Sequence, residues 1–463
     1  MPVTPDALAH AEDLADFVAA SPSSYHAAAE VARRLEDAGF ERLAEEDAWD
    51  VTPGGRYVVV RDGAAIAWTI PTDAVATTPA HVFGAHTDSP GFKLKPQPTT
   101  GSKGWLQAAV EVYGGPLLNS WLDRELRLAG RLALADGRVV LADTGAMLRL
   151  PQLAVHLDRE ANTGLALDKQ YQTQPVWGVG DPSQADILAE LAESAGVSAS
   201  DIRGYDVVIA DTARGAVFGK DDAFFASGRL DDLASVHAGV VALAGPSTGS
   251  GTQEGAGSGT QEGAGSGTQE GAGSGTQEGA GSGTQEGAPL AILAAFDHEE
   301  LGSNSRSGAA GPFLEDILGR IYDALGADAS ERRRALSMSW CLSSDVGHSV
   351  HPNYAHKHDP VVQPVLGSGP ILKLNANQRY ATDAVGSAAW RRWCESADVT
   401  TQEFVSNNTV PCGSTIGPIT ATRLGIRTVD VGIPILSMHS ARELAGVSDL
   451  HDLARVAGAF FAG

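Results

Sequence analysis

Pro289-Leu-Ala-Ile-Leu-Ala-Ala-Phe296 runs straight into Asp297-His298-Glu299-Glu300. A short apolar run closed by charged residues reads as a buried strand of a parallel sheet. Neighbouring side chains diverge in an extended chain, so one glutamate can bind a metal ion while the other faces a substrate. Two adjacent acids after a buried strand also repel each other unless a positive group is near. The same strand-end placement recurs in His86-Thr87-Asp88, Leu230-Asp231-Asp232 and Ser344-Asp345, and Met438-His439-Ser440 adds a fifth cluster.

Asp88 lies two residues after His86, on the same side of an extended chain, where it can fix the imidazole tautomer. Alone, such a pair is more common as a surface loop. Asp231 stands where the glycine-marked Ser227-Gly-Arg-Leu-Asp231 enters a helix, and capping is the commoner use of an aspartate there. A carboxylate, unlike an imidazole, can bridge two cations. Asp231 is therefore the expected bridge, with Asp232 supporting or capping it. His86, Asp231 and Asp345 make one expected ligand set; Asp231, Glu300 and His439 make the other.

Glu299 is left for acid–base work, taking a proton from metal-bound water and delivering it to a leaving amine. Nitrogen and oxygen donors without cysteine suit two Zn²⁺ ions first, with Co²⁺ or Mn²⁺ as alternatives. His348, His351, His356 and His358 follow Asp345 closely and read as a substrate loop rather than a separate metal tract. Independent strand ends of one parallel sheet open on its carboxyl edge, where such folds place their sites.

A chain of 463 residues exceeds one ordinary core, so two domains are expected. Its 43% apolar and 19% charged residues describe a soluble globular protein. The net charge of -24 argues against a nucleic-acid surface and against an anionic membrane. An acidic substrate would need a local positive group. Cys341, Cys394 and Cys412 are odd in number and widely spaced, which suits a reducing compartment. With no basic region leading into an apolar one at the start, and no run of membrane-spanning length, a cytoplasmic location is expected.

The N-terminal segment reads as two helices, one capped by Thr4 and one running from Ser23-Ser24 to Gly39. Residues 92–225 carry short strands punctuated by Gly and Pro, the pattern of a mainly β domain inserted into an α/β domain formed by 1–91 and 226–463. Strands at 289–296, 336–342 and 427–431 alternate with helices at 312–325, 382–395 and 447–460, predicting a largely parallel sheet flanked by helices. Residues 249–288 are five copies of Gly-Ser-Gly-Thr-Gln-Glu-Gly-Ala. Without large apolar residues they cannot offset the entropy of ordering, so a disordered loop without assigned function is expected.

At these residues the chain resembles the M18 metalloaminopeptidases, the aspartyl aminopeptidase group. The matching text includes Gly84-Ala-His-Thr-Asp-Ser-Pro90, Glu111-Val-Tyr-Gly-Gly115, Leu153-Ala-Val-His-Leu157 and Phe296-Asp-His-Glu-Glu-Leu-Gly-Ser303. It continues through Ser344-Asp-Val-Gly-His348, Asn375-Ala-Asn-Gln-Arg-Tyr-Ala381, Thr409-Val-Pro-Cys-Gly-Ser-Thr415 and Met438-His-Ser-Ala-Arg-Glu443. The resemblance spans nearly the whole chain apart from the repeat.

It implies a di-zinc exopeptidase fold and cleavage of the N-terminal residue of peptides with a free amino terminus. It implies Glu299 as base and His86, Asp231, Glu300, Asp345 and His439 as ligands. His156, in the inserted domain, would reach a neighbouring subunit's active site, and that domain would pair subunits into dimers that build a dodecamer. His348, Lys373 and Tyr380 fall at substrate-contacting positions, and a buried Lys373 would select acidic residues. Asp232 and His298 stand where relatives often have Asn, and Leu117-Leu-Asn-Ser120 is less aromatic than usual. Two rival readings are a di-metal deacylase on the same scaffold and a catalytically idle assembly protein.

Overall fold

The computed structural model describes residues 3–245 and 287–463. The repeat at 249–288 lies outside the described residues, except for Gly287 and Ala288. Thr4 starts the first helix, Pro5–Ala20, by accepting the Ala7 N–H at 3.2 Å. Pro5 sits where a missing amide proton costs nothing. Ser23 caps Ser24–Asp37 in the same way through the His26 N–H.

The core is a nine-stranded mixed sheet. Its middle four strands, Leu290–Phe296, Ala80–His86, Trp340–Ser344 and Arg427–Gly432, run parallel. Ala64–Thr69 pairs antiparallel on one side and Ile371–Leu374 antiparallel on the other. Period-two alternation divides the core between two helical layers. Phe83, Ala85 and Leu293 pack with residues of the helices Pro5–Ala20, Leu230–Ala244 and Val447–Ala462. Val82, Ala294 and Ile292 pack with Phe313–Ala324 and Ile416–Leu424. Central strands covered on both faces are mainly apolar, and every residue of Ala80–His86 and Leu290–Phe296 is buried.

One expected strand is displaced. Residues 336–338 end the helix Ala329–Met338, and the strand is Trp340–Ser344. A capping box between Asp328 and Glu331 starts that helix. Ser343 and Ser344 hid the strand because they are polar, although both are fully buried; the Ser344 hydroxyl is satisfied by Ser235 at 3.0 Å.

Between residues 91 and 211 the chain forms a second, seven-stranded sheet. Ile202–Asp211 pairs with both Gly91–Ser102 and Glu125–Leu134, which closes the sheet around Phe92, Val110, Leu128 and Ile209. Ala216–Phe218 and Phe224–Ser227 do not join it. They begin a five-stranded sheet with Glu443–Gly446, Pro434–Leu436 and Gly347–His348.

Candidate active site

The parallel register brings the clusters to one level. His86 pairs with Phe296, and Gly84 with Ser343, so Asp345 stands level with His86 and the Glu299–Leu301 turn follows just beyond. His298 enters that turn with a left-handed φ of 64°. The Asp88 carboxylate holds it, accepting the N–H of Glu299 at 3.0 Å and of Glu300 at 3.2 Å.

Asp231 is the centre of the arrangement. Its Oδ1 lies 3.1 Å from His86 Nε2 and its Oδ2 lies 3.3 Å from His439 Nε2. On the His86 side Asp345 Oδ1 is 3.8 Å from His86 Nε2; on the other side Glu300 Oε1 is 3.5 Å from His439 Nε2. Both imidazoles are oriented from behind. His86 Nδ1 meets the Asp88 carbonyl at 3.0 Å and His439 Nδ1 the Gly115 carbonyl at 2.9 Å. Each Nδ1 therefore carries the donated proton and each Nε2 is left as a ligand atom. The Asp88 carboxylate is farther from His86, at 3.4 Å.

Donors around one tetrahedral ion with bonds of 2.0–2.1 Å stand about 3.4 Å apart. The separations around Asp231 bracket that value. Asp231 Oδ1, Asp232 Oδ1 and Glu300 Oε1 are buried without a hydrogen-bond partner. Burial raises Glu300 and Asp232 well above the ordinary carboxyl range, and neighbouring carboxylates add to it. Glu299 is pushed up to about 7, by burial first and then by Asp345, Asp231 and Asp88 against the pull of His86. Burial lowers His439, but Asp231 and Glu300 outweigh it and lift the imidazole to about 10. Buried acids crowded this way are short of positive charge. The donor set fits divalent cations.

The other residues singled out from the sequence fall in two places. Lys373 is 2% exposed, donates to the Val346 carbonyl at 2.8 Å and stands 3.4 Å from Asp345 Oδ2. Its ammonium is 5.4 Å from the Tyr380 ring. Tyr380 and His348 line a cavity of about 320 Å³. His156 lies elsewhere, exposed in a turn, and among the described residues no hydrogen bond or ion pair joins it to this cluster. Asp232 makes no helix cap; Leu230–Ala244 begins without a side-chain cap bond.

Two residues that shape the site escaped the sequence reading. Glu443, 2% exposed, accepts the backbone N–H of Asp231 and of His439. Tyr113 donates its hydroxyl to Asp88 Oδ2 at 2.9 Å. The signal for Glu443 was a single acid opening the otherwise apolar Glu443-Leu-Ala-Gly-Val447.

The family described as Aminopeptidase I zinc metalloprotease (M18) matches residues 17–286 and 277–461. "Probable M18 family aminopeptidase 2" of Streptomyces coelicolor is 49% identical over 454 residues, covering 97% of each chain. The protein of the same description from Pseudomonas aeruginosa is 40% identical over 461 residues, again covering 97% of each. Among solved structures, "Cryo-EM structure of the Ape4 and Nbr1 complex" superposes with a TM-score of 0.87 at 31% identity, covering 100% of this chain and 88% of that one. "Structure of S. cerevesiae mApe1 dodecamer" gives 0.78 at 28% identity, covering 97% and 96%.

Proposed function

This chain belongs to the M18 family of zinc metalloaminopeptidases, and from that premise we propose that it removes N-terminal residues, acidic ones above all, from peptides at a site for two divalent ions. It is a peptide hydrolase of the exopeptidase kind. The proposed ligands are His86, Asp231 and Asp345 for one ion and Asp231, Glu300 and His439 for the other, Zn²⁺ first. The observation that carries this reading is the Asp231 carboxylate, with one oxygen 3.1 Å from His86 Nε2 and the other 3.3 Å from His439 Nε2.

When bound, such ions polarise a carbonyl and acidify water at neutral pH. The rest of the mechanism belongs to the chain. Glu299 accepts the proton of the attacking water and returns it to the leaving amine. Its amide is held by Asp88, while among the described residues its carboxylate makes no hydrogen bond, which leaves it available to water. Asp88 thus orients the Glu299–Glu300 turn as well as receiving His86 at its carbonyl.

Acidic preference is supported by an adjoining cavity that holds a lysine and hydrogen-bonding side chains but no acid. His348, His351, Lys357, His358 and Tyr380 are among its lining residues, which include no Asp or Glu. Lys373, in reach of Tyr380 at the edge of the ligands, is the proposed partner of the substrate carboxylate. Residues 92–225 are proposed as a dimerisation domain inserted into a catalytic domain of 1–91 and 226–463. His156 would serve a neighbouring subunit. In support, Leu153, Val155 and Leu157 beside it are 61%, 49% and 76% exposed, an apolar edge that a second copy would cover. A dodecamer is the proposed assembly, as in the mApe1 relative. No helix among the described residues is long and apolar enough to cross a membrane, and the free thiols of Cys341, Cys394 and Cys412 fit the proposed cytoplasmic setting.

The test is hydrolysis of Asp-, Glu-, Leu- and Ala-arylamides by protein loaded with Zn²⁺, Co²⁺ or Mn²⁺, beside Glu299→Gln. The variant loses at least ~10²-fold in rate. Cleavage of neutral residues alone would discard the acidic pocket and keep the mechanism. Cleavage of acetylated substrates would favour a deacylase instead.

A further inference from the structure

We propose that Asp232 is a sixth protein ligand, an oxygen donor to the ion held by His86 and Asp345. The proposal rests on the metal reading above and extends it. Asp232 is fully buried, with no exposed surface. Its Oδ2 accepts the His86 N–H at 3.2 Å, while Oδ1 is buried without a hydrogen-bond partner. The Ser235 hydroxyl and the His86, Asp231 and Asp345 side chains also face this carboxylate. A carboxylate oxygen withdrawn from water and given no donor is costly unless a cation meets it.

The geometry gives a place where a cation would meet it. Donor atoms of His86, Asp232 and Asp345 all lie within 4.8 Å of one another, as do those of His86, Asp231 and Glu300. Two donors on one ion with bonds of 2.0–2.1 Å stand at most about 4.2 Å apart. The limit within which the three donors lie is close to that span.

Charge gives the reason for an extra anion on this side. Lys373 Nζ stands 3.4 Å from Asp345 Oδ2, whereas the Glu300–His439 side has no ion pair with a lysine or arginine among the described residues. Asp232 offsets that ammonium. The two sites then differ in kind: one nitrogen with three carboxylates around His86, one nitrogen with two around His439. Oxygen-rich sets favour harder ions, so the His86 site holds Mn²⁺ better than its neighbour does.

The test is a titration of metal-free protein with Zn²⁺ and with Mn²⁺ in competition with a chromophoric chelator, for the wild type and for Asp232→Asn. The amide keeps the size and an acceptor for the His86 N–H but removes the anionic donor. The expected result is one site weakened about 10–100-fold, more for Mn²⁺ than for Zn²⁺, and the other unchanged. Bound Co²⁺ should show stronger visible bands as its coordination number falls. Melting of the metal-free variant should match or exceed the wild type, because one buried charge is gone, while the gain on adding metal shrinks. A merely structural role would instead lower the melting point with and without metal.

Two sites of unchanged affinity in a folded Asp232→Asn would overturn the proposal while leaving the metal reading intact. A wild type that binds no ion would overturn both. Asp232→Ser repeats the measurement should the amide variant not fold.

Discussion

The Glu443 carboxylate ties Asp231 to the turn that carries His439. One oxygen accepts the Asp231 N–H at 3.0 Å and the other accepts the His439 N–H at 2.7 Å. Asp231 opens the helix Leu230–Ala244, while His439 has a left-handed φ of 65° in the turn after Pro434–Leu436. One buried acid thus fixes the spacing of two candidate ligands that lie far apart in sequence. Glu443→Ala leaves two amides without a partner, at a cost of about 1–3 kcal/mol for each that stays buried. It should also weaken metal binding about 10–100-fold, as loss of outer support does at other metal sites. Glu443→Gln keeps an acceptor for one amide and should fall between. Calorimetric metal titration of the three proteins checks the order.

Tyr113 acts one step further out. Its hydroxyl donates to Asp88, whose two oxygens hold the Glu299 and Glu300 amides. Tyr113→Phe removes a hydrogen bond to a charged acceptor, worth about 1.5–3 kcal/mol where it is buried. The turn loosens while the substrate cavity is untouched, since Tyr113 is not among its lining residues. The expected outcome is a fall in kcat of about tenfold, a fraction of what general-base catalysis contributes, with KM nearly unchanged. Steady-state kinetics on one arylamide decides it.

Acid should destabilise the fold through a histidine cluster behind the site. The His10 and His237 rings stand 4.7 Å apart and His10 and His451 5.7 Å apart, between the helices Pro5–Ala20, Leu230–Ala244 and Val447–Ala462. Burial, then His237 and His451, holds His10 well below the usual imidazole value; burial lowers His237 against the pull of Asp13. A base with a depressed folded pKa takes its proton more readily when unfolded, so this stability is lost as pH falls below about 6.5. Asp13 adds a second step. The His237 hydrogen bond, with Arg34 beside it, keeps this carboxyl well below its usual range despite burial. Its contribution is present above about pH 4 and lost as pH falls further. Melting curves between pH 4 and 8 should therefore be shallower for His10→Phe than for the wild type. Reading the difference between the two proteins cancels the titration of the metal site.

His86 and Glu300 were legible because an apolar strand stops at or just before each, whereas Asp231 opens a helix and His439 lies in a turn. Phe296 before the glutamates and Ala85 before His86 mark those ends in the text itself, and parallel pairing then brings them level. The roles of Glu443 and Tyr113 were not legible, because they act on backbone amides and on another carboxylate, and such contacts leave no ligand spacing to read. Trp340–Ser344 was displaced in the reading because Ser343 and Ser344 are polar yet fully buried, and the partner of Ser344, Ser235, lies on another element. Closure of the second sheet depends on Ile202–Asp211 meeting Glu125–Leu134 across a long stretch of chain. Local pattern marks strands but does not say which of them pair.

Lys373 separates two roles that activity alone would confuse. Its ammonium is 3.4 Å from Asp345 Oδ2 and donates to the Val346 carbonyl, so it can steady a ligand as well as meet a substrate. Lys373→Met keeps the length of the buried stem and removes the charge. If the ammonium pairs with the acidic side chain of the substrate, kcat/KM on Asp-arylamide falls by about 10²-fold or more relative to Leu-arylamide, the scale of losing one partner of a buried charge pair. If it only steadies Asp345, metal affinity falls and all substrates lose rate together. We expect the first result, because the adjoining cavity has a lysine and three histidines and no acid among its lining residues. Measuring both substrates at saturating metal removes the affinity effect and leaves the ratio as the readout. An unchanged ratio would move the acidic preference away from Lys373 and onto Lys357 and the histidines of the cavity wall.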